Sequence, residues 1–438
     1  MAEKRLVIGS GPDGLRAAAV LASGGYSVTL LQEGATPSGL SRPNYPNDAG
    51  WMRVPDEAWS AVEAVLGPVV ESPDPMRSVS CGRRRYRLPM KPQNIPRLLD
   101  KHVLLPAARA WLQARAAAAS SDLLGGGMEE RSYRDWVVRR MGGPAYHHLY
   151  RDYAFRRWGW DPEGLSSALA QVHHAVPDEG PFQVPGGGYD TVLQNACNAI
   201  TGAGGAIHTN VKVTGIRLED GKVAALTTTE GEHAVEGQLW VALDAMTVCR
   251  LLGEACTEGM RVDAEHLMVG TAAVTALRGE VDGLPDELHV LDEGAPFWQV
   301  VVPYGVEKTA FFHSTFPSPD GLPPASELVR RCAASASALG IGDFSEEDAH
   351  VEWLPRWMPI WRQGSHARYR RLLRIFQDMG IVGIGRSGAF SPMDPGTEIA
   401  LVHRLMSDPD QLEAHRLLLD PSVRIEDLNA RITRMIER

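Results

Sequence analysis

"RLVIGSGPDGLRAAAVLASGGYSVTLLQEG", residues 5–34, decides the fold. Its first six residues, RLVIGS, form a short apolar run that reads as a buried strand. GLRAAAVLASGG follows as a helix that stops at glycines, and YSVTLLQ as a second strand. Gly9, Gly11 and Gly14 fall between the first strand and the helix. There the first glycine permits a tight turn and the second lets the backbone approach a pyrophosphate. The third allows close helix–strand packing, with the phosphate resting on the helix N-terminus. A dinucleotide site is therefore expected. The second strand of such a unit normally ends in an acid that accepts two hydrogen bonds from the adenosine ribose. In register that place is Gln32, with Glu33 one step later. A Gln carbonyl accepts a hydroxyl hydrogen bond but lacks charge assistance; alternatively, Glu33 reaches round from the strand end. Neither supplies an arginine for a 2′-phosphate, which disfavours NADP and leaves NAD and FAD open.

Working outward, the chain has 438 residues, enough for two packed domains. A net charge of −10 argues against nonspecific nucleic-acid binding. The cysteines, Cys81, Cys197, Cys249, Cys256 and Cys332, show neither CxxC nor metal-ligand spacing and read as free thiols of a reducing compartment. His147–His148 and His173–His174 are adjacent in helical segments, so their side chains point apart; no metal site is expected. MAEKR runs straight into the first strand with no apolar signal core. No stretch of about 18 apolar residues occurs. These features imply a cytoplasmic protein without a membrane span, acting on a small molecule, with a homo-oligomer left open.

Further along, residues 92–176 read as largely helical, and VPGGGYD leads into a helix over 190–203. AIHTNVKVTGIRLEDGKVAALTTTEGEHAVEGQLWVAL alternates polar and apolar residues and turns at Asp220–Gly221, a hairpin signal. Strands are expected over 266–316 and a helix over 325–339. In WLPRWMPIWRQ, Pro355 and Pro359 interrupt any helix, so Trp353, Trp357 and Trp361 are expected in irregular structure, either as a substrate-pocket wall or as core. GIVGIGRSGAFSPMDPGTEIALVHRLM reads as strand, glycine-rich turn and helix. Beyond Ser407, Ile425, Leu428, Ile432 and Ile436 are spaced as an apolar helical stripe, expected to pack back on the body, with a partner surface as the alternative.

Several blocks in this order resemble the FAD-dependent amine oxidase and protoporphyrinogen oxidase superfamily, in the branch of UDP-galactopyranose mutase-like flavoproteins. After the second strand, Ser38-Gly39-Leu40-Ser41-Arg42 is similar to the family's Gly-Gly turn at the FAD phosphates, with serine for the first glycine. RRRYRLPMKPQNIPRL (83–98) and SYRDWVVRRMGGPAYHHLYRDYAFRRWGWDPEGLSSALAQ (132–171) are similar to later family segments. In FQVPGGGYDTVLQNACNAITGAGGAIHTNVKVTGI, Val211 and Val213 match the strand that faces the adenine end. GIGRSGAFSPMDPGTEIA resembles the C-terminal flavin motif, in which Gly385, Arg386, Met393 and Asp394 border the ribityl–isoalloxazine junction. The resemblance selects FAD over NAD. It implies cofactor contacts from Gly9, Gly11, Gly14, Gln32, Glu33, Gly39, Leu40, Ser41, Val213, Gly385, Arg386, Met393 and Asp394.

Four positions depart from the family pattern. Gln32 and Ser38 are two. Met52 stands where the family has a histidine near the flavin, and Gly186 where it has an arginine. The expected fold is α/β. It pairs a Rossmann-like FAD domain of the glutathione-reductase type (1–55, 180–260 and 372–406) with an α+β substrate domain (56–179 and 261–371). The latter holds an antiparallel sheet and a helical insertion, and residues 407–438 form a helical tail. The active site is expected at the domain interface. Met52, Arg156, Trp158 and Trp361 are candidate substrate-pocket residues, with Trp298 and Tyr304 weaker ones, and no residue is assigned as catalytic acid or base. The leading reading is an FAD-dependent oxidoreductase that removes hydride from a small or medium polar metabolite in a biosynthetic pathway. Alternatives are a redox-neutral nucleotide-sugar mutase, with Arg83–Arg85, Arg156 and Arg362 as diphosphate ligands, and a redox-inactive scaffold that binds a partner.

Overall fold

A computed structural model describes residues 2–9, 11–37, 69–72, 77–81, 84–87, 106, 109, 131–174, 182–185, 188–302, 308–393, 395–407, 411, 414 and 415. The chain divides into two compact units. The first comprises residues 1–71, 182–267 and 367–438, the second 72–181 and 268–366.

The first unit is built on a five-stranded parallel sheet. Its strands run in the order Ile381–Gly383, Leu239–Ala242, Lys4–Gly9, Ser27–Gln32, Ala206–His208. Lys4–Gly9 lies at the centre, and its later residues are buried, as the apolar run LVI requires. Helix Pro12–Ser23 follows; Pro12 suits the first helical position because its missing N–H costs nothing there. The core joins this helix to helices Gly188–Gly202 and Pro395–Ser407 through Leu15, Val20, Leu21, Ala196, Ile200, Leu401, Val402 and Leu405. A hairpin, Val213–Glu219 with Lys222–Thr228, turns at Asp220 (φ 49°) and Gly221 (φ 77°), the positive pair that such a tight turn needs. With Gly231–Ala234 it forms a separate three-stranded sheet.

The second unit carries a seven-stranded sheet. Its order is Phe344–Pro359, Val269–Gly279, Thr309–Phe316, Gln299–Val301, Glu287–Val290, Arg77–Cys81, Arg84–Arg87. All neighbours are antiparallel except Glu287–Val290 with Arg77–Cys81, which run parallel. One face holds an apolar core under helix Ala325–Ala338, with Ala273, Leu277, Leu288, Val300 and Phe312 against Leu328, Cys332 and Ala336. Helix Tyr133–Met141 starts at a capping box in which Ser132 and Asp135 satisfy each other's backbone N–H groups. Helix Arg151–Trp158 ends at Gly159 in the left-handed conformation, φ 64°.

The tryptophan-rich segment corrects the sequence expectation. Phe344–Pro359 is one long strand, not irregular structure. Pro355 fits because pairing skips it, while Pro359 ends the strand opposite Val269: Leu354 faces Ala272 and Met358 faces Gly270, so three residues bulge opposite Thr271. Pro355 then owes no ladder hydrogen bond, and Arg356 takes φ 54°. Trp353 packs against the apolar core, and Trp361, just past the strand, is buried.

Candidate functional site

The glycine turn of the first unit is shaped for a dinucleotide. A Cβ on Gly9 would stand 2.8 Å from the Gly14 Cα, and one on Gly14 3.0 Å from the Gly9 Cα. The turn and the first helical turn therefore touch backbone to backbone. Gly11, with φ 117° and ψ −168°, occupies a region open to glycine alone. At Gly9, Gly11 and Gly14 no side chain stands between a pyrophosphate and the backbone at the start of the helix, so these residues fit a dinucleotide.

Gln32 ends the second strand fully buried. Its Nε2 donates to the carbonyls of Gly11 (3.4 Å) and Pro37 (3.3 Å), and its own carbonyl accepts from the Val211 N–H at 3.0 Å. Glu33 points elsewhere, into an exposed ion pair with Lys212 at 3.0 Å. The Val211 N–H is thus spent within the protein, and Val213 opens its strand opposite Thr228.

Beneath the turn lies a buried charge cluster that the sequence did not reveal. Arg16 donates to Asp13 at 2.8 Å and to Glu398 through Nε (2.8 Å) and a terminal nitrogen (2.5 Å). The Arg386 backbone N–H donates to Asp13 at 2.9 Å, while its guanidinium donates to the Met393 carbonyl at 2.7 Å and lies 3.6 Å from Glu398. Two acids and two arginines balance, which a site nearly sealed from water demands. Gly385, at φ 65°, brings this strand end so close that a Cβ would meet Asp13 at 2.6 Å. The cluster ties the fingerprint helix to the C-terminal motif, and Arg386 acts within it as a clamp. Gly39, Leu40, Ser41, Met52 and Asp394, with Ser38, Arg83 and Tyr304, lie outside the described residues.

In the second unit, Arg156 donates to the carbonyls of Phe297 (2.5 Å) and Val290 (2.8 Å), so its guanidinium is engaged by backbone. Trp158 is buried, and Trp361 stacks edge-on against His366 at 4.3 Å. Arg85 is bonded to the carbonyls of Gly340 and Ile341, and Arg362 lies over the Trp160 ring.

Helix Arg151–Trp158 also carries residues not singled out from the sequence. The Tyr153 hydroxyl sits 2.7 Å from His289 Nδ1 and accepts from Arg157 at 3.1 Å. His289 Nε2 lies 3.2 Å from Glu287 Oε1, which also accepts from the Gln299 amide. The Arg157 guanidinium rests between the rings of Trp158 (5.1 Å) and Trp298 (4.8 Å). Burial raises the Tyr153 hydroxyl above its ordinary pKa, and Arg157 works the other way. Two weak signals were present: Glu287 and His289 share a strand face at i, i+2, and Tyr153 and Arg157 a helix face at i, i+4.

Among the described residues no group of His, Cys, Asp and Glu is placed to hold a metal, and no helix is long and apolar enough to cross a membrane. All five cysteines are unbridged.

A parallel sheet with a glycine-rich strand–helix turn, in a chain with a second sheet unit, is a fold also found in solved oxidase and mutase structures. Solved structures with this fold include a reduced UDP-galactopyranose mutase (TM-score 0.71, 16% identity, 94% of this chain and 98% of that one). A putative protoporphyrinogen oxidase from Exiguobacterium sp. 255-15 superposes with TM-score 0.69 at 14% identity, over 93% of this chain and 98% of that one. Cyclohexylamine oxidase from Brevibacterium oxydans IH-35A gives TM-score 0.63 at 14% identity, over 93% of this chain and all of the other. No family model and no curated protein matches the sequence.

Proposed function

We propose that this protein is an FAD-dependent oxidoreductase that removes hydride from a small or medium polar metabolite. The observation that carries the reading is the Gly9–Gly14 cradle joined through buried charges to the Gly385–Met393 turn, in a fold shared with solved oxidases. In this reading the first unit is the FAD domain and the second binds substrate. The flavin supplies the redox chemistry. The N-terminus of helix Pro12–Ser23 receives the pyrophosphate, and the clamp at Arg386 fixes the C-terminal motif against it.

A nucleotide-sugar mutase needs arginines for a diphosphate. Arg85 and Arg156 are instead bonded to backbone carbonyls, which favours the oxidoreductase. The test is the visible spectrum of purified protein, before and after dithionite and then air. Bound flavin that reduces and reoxidises supports the proposal; colourless protein that takes up no added FAD overturns it.

A further inference from the structure

Several arginines of this chain have their guanidinium filled by the protein itself. Arg371 grips Asp263 along one edge, with Nε 2.9 Å from one carboxylate oxygen and Nη2 2.7 Å from the other. Arg16 turns the same edge to Glu398. Arg156 spends both terminal nitrogens on the carbonyls of Phe297 and Val290. The Nε–Nη2 edge presents two parallel N–H groups that match a carboxylate in spacing and charge.

Arg157, in the second unit, is held differently. Its Nη1 donates to the Tyr153 hydroxyl at 3.1 Å, and its guanidinium carbon lies 5.1 Å and 4.8 Å from the ring centroids of Trp158 and Trp298. Both rings are buried, and Trp298 is itself fixed by its indole N–H, which donates to Thr315 at 3.2 Å. The side chain is thus held at three points, while the edge that Arg371 uses for Asp263 stays open. Among the described residues nothing accepts from Nε or Nη2 of Arg157, and no acid forms an ion pair with it. Neither nitrogen is sealed from solvent, and the residue as a whole is half-buried. Glu287, the acid at this end of the sheet, is engaged by His289 and Gln299. Fixing a long side chain costs rotamer freedom, and two of its best donors return nothing within the protein. A donor pair already fixed in place costs a ligand little to engage.

We infer that the Nε–Nη2 edge of Arg157, set between Trp158 and Trp298, is a binding site for an organic carboxylate. Charge favours a carboxylate over a phosphate. One guanidinium matches one negative charge, whereas a phosphate group carries up to about two at neutral pH and calls for a second cation. Arg156, the neighbouring cation on the helix, is already committed to backbone. The site needs no flavin. Its role as a substrate contact rests on the oxidoreductase reading above, in which the second unit binds substrate; the metabolite oxidised then carries a carboxylate.

The test uses the full chain without added cofactor, so failure here is separate from failure of the FAD reading, which the visible spectrum decides. The Arg157 Nε–H is followed by proton–nitrogen NMR, its signal identified by its loss in Arg157→Lys. Acetate, benzoate and succinate are titrated at constant ionic strength, with benzamide as the neutral control and inorganic phosphate as the competing anion. At least one carboxylate should move the signal saturably, with half-saturation below about 10 mM, and benzamide should leave it in place. By calorimetry, Arg157→Gln should weaken binding of that carboxylate about 10-fold or more. Arg157→Lys keeps the charge but loses the paired donors and should weaken it nearly as much. The NMR titration is made on the parent chain and stands even where a variant fails to fold. A signal that none of the carboxylates moves, one that benzamide moves equally, or one that phosphate moves and the carboxylates do not, overturns the inference. So does a folded Arg157→Gln that binds within about threefold of the parent.

Discussion

At the residue scale, Gln32 shows why a departure from a motif need not be a defect. In the family register an acid belongs there, and restoring it looks like an improvement. The side chain instead donates to two carbonyls, those of Gly11 and Pro37, in a fully buried place. A carboxylate has no proton to donate and would face both oxygens. Gln32→Glu should therefore lower stability by about 1–3 kcal/mol at neutral pH and weaken FAD binding, read by thermal unfolding and flavin fluorescence titration. Tighter FAD binding in that variant would return the ribose role to this position. His415 makes a second residue-scale case. Burial pushes its imidazole down to about 4. An ordinary histidine titrates near about 6.5, so the unfolded chain binds this proton first. The stability it contributes is complete above that value and is lost as pH falls toward 4. Calorimetry across this window should show a shallower acid loss in His415→Leu than in the parent, and an unchanged slope would refute the assignment.

Among elements, the decisive join is between the fingerprint helix and the C-terminal helix Pro395–Ser407. Its energetics rest on a balanced set of four charges at Asp13, Arg16, Arg386 and Glu398. Removing one cation leaves an acid buried without its partner. Arg16→Met should cost about 3–5 kcal/mol by denaturant unfolding, and Asp13→Asn added to it should restore part of the loss. A purely additive double variant would mean the charges do not act as a set. None of this was legible in the sequence, because Arg16 and Glu398 read as ordinary helix residues and their meeting depends on tertiary packing. The first strand–helix–strand, by contrast, was legible almost residue for residue, since periodicity and glycine spacing are local. The segment WLPRWMPIW marks the boundary between these cases. Its prolines spoke against regular structure, yet a bulge opposite Thr271 absorbs Pro355 and lets the strand continue. A bulge is set by the partner strand, which a single stretch of sequence does not contain.

For the whole molecule, the order of motif blocks along the chain carried more than any one block. Rossmann-like strands come from both ends and the middle, and the fold closes them into one sheet with Lys4–Gly9 at its centre. The contact of Tyr153 with His289 was not legible at this scale, because the two residues stand far apart in sequence. The proposed FAD seat is assembled from distant segments and exists only in the folded chain, so its ligand stabilises the native state alone. Saturation at about 100 times Kd adds about 2.7 kcal/mol, and each further tenfold about 1.4. The unfolding midpoint should therefore climb with the logarithm of added FAD and stay still with equal NAD. Arg16→Met, which loosens one side of the seat, should need more FAD for the same rise. A midpoint that follows NAD and ignores FAD would mean that the glycine turn at residues 9–14 serves a nicotinamide enzyme and would overturn the flavoprotein proposal.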